Sequence, residues 1–299
     1  MTATSTGAVY DRGYRPYDGP RGGRNEARRA LWRASVRRAL GLRRSWRQKV
    51  FPWTLLAIVS VPAVVNVGIA YLTRDTVAEE FEFITYREYV GVGTALLLFV
   101  ALTAPDIICP DRRHRMLPLI FARPLTGTDY VVTKVAALTA IVFAFGFLPH
   151  VVLFVGQAFV DRDGSLTYVR ANAEFIWQVP IAVAIVAIYY SVLGILAASF
   201  TNRRAIAGAV FLIVLLVASV VSAVLSGGDE EGVFSSMWAV VNLLALPLRV
   251  RDLVFLGEMA PDGPLGGIDG GATAAVVTYL AVVGTSMAVL LRRYRWIET

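Results

Sequence analysis

Six apolar runs of 20 or more residues dominate this chain and leave few folds open to it. They are Phe51–Leu72, Tyr89–Cys109, Val135–Val160, Phe175–Phe200, Ala205–Leu225 and Gly271–Leu291. At ~1.5 Å rise per residue, a helix of that length covers the ~30 Å hydrocarbon core of a bilayer. A chain in hydrocarbon must satisfy its own backbone hydrogen bonds, and a helix does so within one segment. No charged residue stands near the centre of any run, where one would cost ~2.5–3.5 kcal/mol. The expectation is an all-α polytopic membrane protein with six transmembrane helices. Composition agrees: 17% of residues are charged, against ~25% for a soluble domain.

Orientation follows from the basic residues. Of the 29 lysines and arginines, 23 lie before Phe51, in the Pro110–Lys134 loop, at Arg203 and Arg204, or at Arg292, Arg293 and Arg295. The other loops carry two each and hold most of the acids, among them Glu79, Glu80, Glu82, Asp229, Glu230 and Glu231. The positive-inside rule then places both termini in the cytoplasm. The formal charge of +7 is read as loop arginine facing membrane lipid, not as a nucleic-acid surface.

Residues 1–25 are rich in Gly, Tyr, Arg and Pro without apolar periodicity, which reads as a flexible cytoplasmic tail. About 50 polar residues precede the first apolar run, which speaks against a secretory signal peptide. Residues 26–50 set Arg29, Arg33, Arg37, Arg44 and Arg47 on one arc of a helix and Leu31, Trp32, Val36, Ala39, Leu42, Trp46 and Val50 on the other. This predicts an amphipathic helix lying in the membrane interface; the rival reading is a basic arm for RNA or DNA. Phe234–Phe255 is apolar but interrupted by Pro247 and followed closely by Arg249 and Arg251. Counting it as a seventh span would put the C-terminal arginines outside. Two half-length, re-entrant helices dipping from the outer face before the last span fit better.

Most enzyme chemistry finds no support. The chain has no GxxxxGK[ST] phosphate loop, HExxH or GxSxG, and no catalytic residues are assigned. The single cysteine, Cys109, excludes an internal disulfide and a cysteine zinc site, and two histidines, His114 and His150, are too few for a His-rich metal centre. Asp106 and Asp111, close to Arg112 and Arg113, read as salt-bridging residues at the inner boundary, and Lys134 as a lysine able to snorkel to the interface. His150, Asn66, Gln157, Tyr189 and Tyr190 lie within apolar runs. They either line a substrate path or hydrogen-bond neighbouring helices. No internal repeat of the kind common in secondary transporters is visible.

The loop Pro110–Lys134 is too long and too apolar for a plain turn. Leu117, Leu119, Ile120 and Phe121 predict a short helix from Met116 to Ala122 that presents them to a partner. Its pattern resembles the first cytoplasmic loop of type-2 ABC-transporter permeases: Asp111, Arg112-Arg113, Met116-Leu117, Ala122-Arg123-Pro124, Thr126-Gly127-Thr128, Asp129 and Lys134. Asp111 stands where many members have Glu. The six-span plan, the interfacial helix and the broken external helices are also similar to that family, and the Tyr10–Arg21 tail resembles actinobacterial members.

The resemblance implies that residues 51–299 form a six-span permease domain with no ATPase of its own. A separate ATP-binding cassette subunit would bind the ATP and dock on Asp111, Arg112, Arg113, Met116, Leu117, Leu119, Ile120, Phe121, Arg123 and Pro124. A second permease subunit would complete an export path in a bacterial cell membrane, along which Asn66, His150, Gln157 and Tyr189 are candidates. The alternatives are an ATP-independent secondary transporter and a membrane-embedded enzyme. The latter would need a polar constellation in the bilayer.

Overall fold

The computed structural model describes residues 19, 22–42, 46–73, 85–90, 93–226, 237–266 and 268–298. Among them the regular elements are all helical: α1 (Arg24–Ala39), α2 (Trp46–Thr73), α3 (Tyr86–Tyr89), α4 (Gly93–Arg113), α5 (Leu117–Phe121), α6 (Gly127–Val160), α7 (Ser165–Ala171), α8 (Phe175–Ser199), α9 (Arg204–Ser226), a 3-10 turn (Trp238–Val241), α10 (Leu246–Leu256) and α11 (Gly271–Glu298). Among the described residues, six segments are long and apolar enough to cross a membrane: Trp53–Thr73, Tyr86–Arg113, Gly127–Val160, Phe175–Ser199, Arg204–Ser226 and Gly271–Arg295.

Two of the six form the centre. The apolar stretches of α4 and α8 are 62% and 61% buried, whereas those of α2, α9 and α11 are 22% buried. α8 packs against α4, α6, α9, α10 and α11, and α6 carries α1 and α2 on its other side. α9 shows how a peripheral helix divides its faces. Ala207, Gly208, Phe211, Leu215 and Ser222 point inward, while Val210, Ile213, Val214, Val217, Val220, Val221 and Val224 lie exposed. An apolar surface that continuous is costly in water and suits a lipid environment. Some hydroxyls within the spans bond the carbonyl four residues back, as Ser60 does to Leu56 at 2.8 Å and Thr103 to Phe99 at 2.6 Å.

Small residues set the helix spacing. Gly208 of α9 lies against the backbone of α4, where a Cβ would meet the Ala101 carbonyl oxygen at 2.5 Å. Gly194 of α8 lies against the side chains of Val100 and Ala104 of α4, which a Cβ would meet at 2.8 and 3.0 Å. Glycine here permits the close approach that drives helix association without a hydrophobic effect.

Several boundaries differ from expectation. The N-terminal helix spans Arg24–Ala39 rather than 26–50, because Gly41 turns the chain with a left-handed φ of 65°. The helix that carries the first span begins at Trp46, and the span itself at Trp53. The third begins at Gly127, not Val135, and runs 34 residues. Its start is a capping box: the Asp129 N–H donates to Thr126 Oγ1 at 3.2 Å and the Thr126 N–H donates to Asp129 Oδ2 at 3.1 Å. Pro247 does not break a helix but opens one, in the first turn of α10, where its missing N–H costs nothing. The four-residue 3-10 turn and the 11-residue α10 are both too short to cross ~30 Å. Side chains fasten them inward: Arg249 donates to the Ala239 carbonyl, Tyr190 to Leu244 O at 2.7 Å and Arg251 to Val90 O at 2.6 Å.

Candidate functional site

The loop between α4 and α6 is bracketed by two carboxylates, and α1 is tied to both. Asp111 lies in the last turn of α4 and is 2% exposed. Its Oδ2 accepts from Lys134 Nζ at 2.7 Å and from the Tyr130 hydroxyl at 3.0 Å, and its Oδ1 pairs with Arg38 of α1. Lys134, equally buried, also donates to the Ile107 carbonyl at 3.0 Å. A buried carboxylate is tolerable only when its lone pairs are met in this way. At the other end of the loop Asp129, 4% exposed, receives Arg24 Nε at 2.6 Å and Arg28 Nε at 2.8 Å beside its capping-box bond.

Lys134 does not snorkel; it is sealed inside with Asp111. Asp111 pairs with Arg38 and Lys134, and Asp106 with Arg204 at 2.6 Å, so both carboxylates are salt-bridging residues as expected, with partners on α1, α6 and α9. Arg112 donates to the Ser199 carbonyl at the end of α8, a natural place for a cation because the helix dipole leaves negative charge there. Cys109 lies beside the same turn, its Sγ 3.5 Å from the Thr201 carbonyl.

α4 closes with a Schellman motif. The Met116 N–H donates to Asp111 O at 2.8 Å and the Arg115 N–H to Arg112 O at 3.2 Å, with Arg115 left-handed at φ 51°. Glycine usually occupies that place. The chain then forms α5, which ends at Phe121, three residues short of Pro124.

The helix expected between Met116 and Ala122 is present, with its faces divided. Leu117 is buried, and Ile120 and Phe121 are half-buried, Phe121 meeting Tyr130 edge-on at 6.1 Å. Asp111 and Leu117 thus belong to the protein's own interior. The outward face consists of Arg113, Met116, Pro118, Leu119, Ala122, Arg123 and Pro124, with Leu119 68% exposed.

The four residues considered for a path are not gathered in one place. Gln157 Nε2 donates to Asn66 Oδ1 at 3.0 Å, joining α6 to α2. Tyr168 donates to Gln157 Oε1 at 2.7 Å and lies 2.8 Å from the Tyr86 hydroxyl, so four side chains from α2, α3, α6 and α7 form one polar chain. His150 is buried, with Nδ1 2.7 Å from the Gly146 carbonyl and its ring 4.8 Å from Tyr89. Tyr189 packs separately between Tyr190 and Tyr279. Among the described residues no group of three His, Cys, Asp or Glu could hold a metal ion.

Arg24, Arg28 and Arg38, with Tyr130, are the functional candidates that sequence reading missed. The Thr126-x-x-Asp129 spacing was the one visible sign, because it marks a helix start. Comparison of the sequence with protein-family models finds no match, and no curated protein matches it either.

Proposed function

We propose that the chain is the membrane-spanning permease subunit of an ATP-binding cassette exporter, with both termini in the cytoplasm of a bacterial cell. A separate ATPase subunit binds the ATP and docks on α5, and a second permease subunit completes the transport path. The observation that carries this reading is the α5 loop itself. It presents exposed Met116, Pro118 and Leu119 amid Arg113, His114, Arg115 and Arg123, while a buried ion-pair cluster ties its base to α1 and α6. Apolar anchors ringed by charge are what a docking helix needs, the anchors for energy and the charges for approach. A rigid base lets displacement of α5 reach the spans rather than dissipate in a slack loop. The motif resemblance supports the same assignment. In this reading α1 lies at the inner interface, and the 3-10 turn and α10 enter from the outer face and return.

The test replaces Met116 and Leu119 together with serine. Leu117 and Phe121 are left alone because they pack inside the protein. The expected result is normal accumulation and melting in detergent, with loss of the phosphate-loop ATPase subunit that co-purifies with the unmodified protein. Undiminished co-purification of that ATPase with the doubly substituted protein sinks the docking role.

A further inference from the structure

We propose that the protein holds one anionic phospholipid in a two-part site built on α1, with the headgroup phosphate in an arginine cleft and an acyl chain in an apolar groove. The proposal rests on the membrane-spanning reading but not on the ATPase.

The groove is a cavity of about 260 Å³ between α1, α2, α4 and α6. Trp32, Val36 and Leu40 form one wall, and Trp53, Phe99 and Phe145 are among the residues opposite. Its lining is hydrocarbon and aromatic, and Trp32 and Trp53 stand 39% and 53% exposed at its edges. A groove of that chemistry facing lipid takes an acyl chain. The cleft is a second cavity, of about 500 Å³, where Arg29, Arg33 and Arg123 converge with Glu26 and Pro124.

The two are neighbours along one stripe of α1. Arg29, Trp32, Arg33, Val36 and, one residue past the helix end, Leu40 follow each other at three- and four-residue steps along the border where the basic and apolar arcs of α1 meet. A ligand occupying both must be anionic at one end and apolar at the other.

Charge accounting points the same way. Arg24 and Arg28 are engaged by Asp129, and Arg38 by Asp111. Arg29, Arg33 and Arg123 make no ion pair with a described carboxylate, and all three are exposed. Glu26 offsets one of these charges, leaving an excess for a phosphate. Arginine forks match phosphate oxygens in a bidentate manner. Tryptophan is enriched at headgroup depth in membrane proteins.

The test counts lipid bound to the delipidated, detergent-purified protein by native mass spectrometry, titrating phosphatidylglycerol against phosphatidylcholine. The expected result is one retained phosphatidylglycerol, preferred on the order of tenfold. Arg29→Gln, Arg33→Gln and Arg123→Gln together should abolish the preference. Ala144→Phe, placed in the groove wall, should abolish retention of both lipids; Ala140→Phe serves as the second plug if the first variant melts early. Inorganic phosphate at millimolar concentration should not displace the lipid. Equal retention of both lipids by the unmodified protein overturns the proposal. Unchanged retention in a folded plug variant does so too, since it would show diffuse adsorption to basic side chains. Full displacement by phosphate would mark a simple anion cleft and likewise overturn it.

Discussion

The buried cluster at the base of the loop makes an asymmetric prediction. Asp111 has three partners, Arg38, Lys134 and Tyr130. Lys134 has one anionic partner, Asp111, plus the Ile107 carbonyl. Removing the carboxylate therefore strands a buried ammonium, whereas removing the ammonium leaves the carboxylate with Arg38 and Tyr130 still in place. Breaking a buried pair so that one charge is uncompensated costs about 3–5 kcal/mol. Losing one hydrogen-bonded partner among several costs about 1–3 kcal/mol. Asp111→Asn should thus destabilise more than Lys134→Gln, although Asp111→Asn is the isosteric change and both residues lie at the same depth. The double variant should cost less than the sum, because the second change removes the group the first left unpaired. Equilibrium unfolding in mixed detergent micelles, followed by tryptophan fluorescence, measures all three. If Lys134→Gln costs as much as Asp111→Asn, or if the two costs simply add, the assigned partners are wrong.

Other substitutions probe the packing and the turns. Gly208→Ala should lower stability by about 1–3 kcal/mol, because its Cβ would collide with the Ala101 carbonyl; Gly284→Ala, whose Cβ meets nothing within 4 Å, should be neutral or slightly stabilising in the same melt. Arg115→Gly should stabilise by roughly 0.5–1 kcal/mol, since it relieves a left-handed backbone at a Schellman position, and an unchanged midpoint would refute that strain. Gln157→Leu should cost about 0.6–1.7 kcal/mol in the same melt, the range for interhelical hydrogen bonds within membranes. Single cysteines at Gly164 and Gly263 should react with an impermeant reagent from outside, and one at Arg115 only after permeabilisation; the reverse pattern would invert the topology.

The spans were legible because crossing a bilayer is a demand on length and apolarity, both local properties of a sequence. All six apolar runs meet long apolar helices, and the 234–255 region, read as unable to cross, has only a short turn and a short helix among its described residues. The short helix around Leu117–Phe121 was legible for a similar reason: too many apolar side chains stood in a loop. The start of α6 was written in the Thr126–Asp129 capping box, yet a polar turn and a helix start use the same residues, so the boundary was placed eight residues late. Partner choice was not legible. Arg38 and Asp111 are 73 positions apart, and Arg24 and Asp129 are 105 apart. Only the packing of α1 on α6 and α4 decides that these arginines meet carboxylates while Arg29 and Arg33 do not. The same packing turned Leu117 inward and Leu119 outward on a helix too short for periodicity to distinguish them. Length and hydrophobicity act through the solvent each residue meets, so one segment reveals them; ion pairs and docking faces depend on which helices touch, and that emerges only when the bundle is assembled.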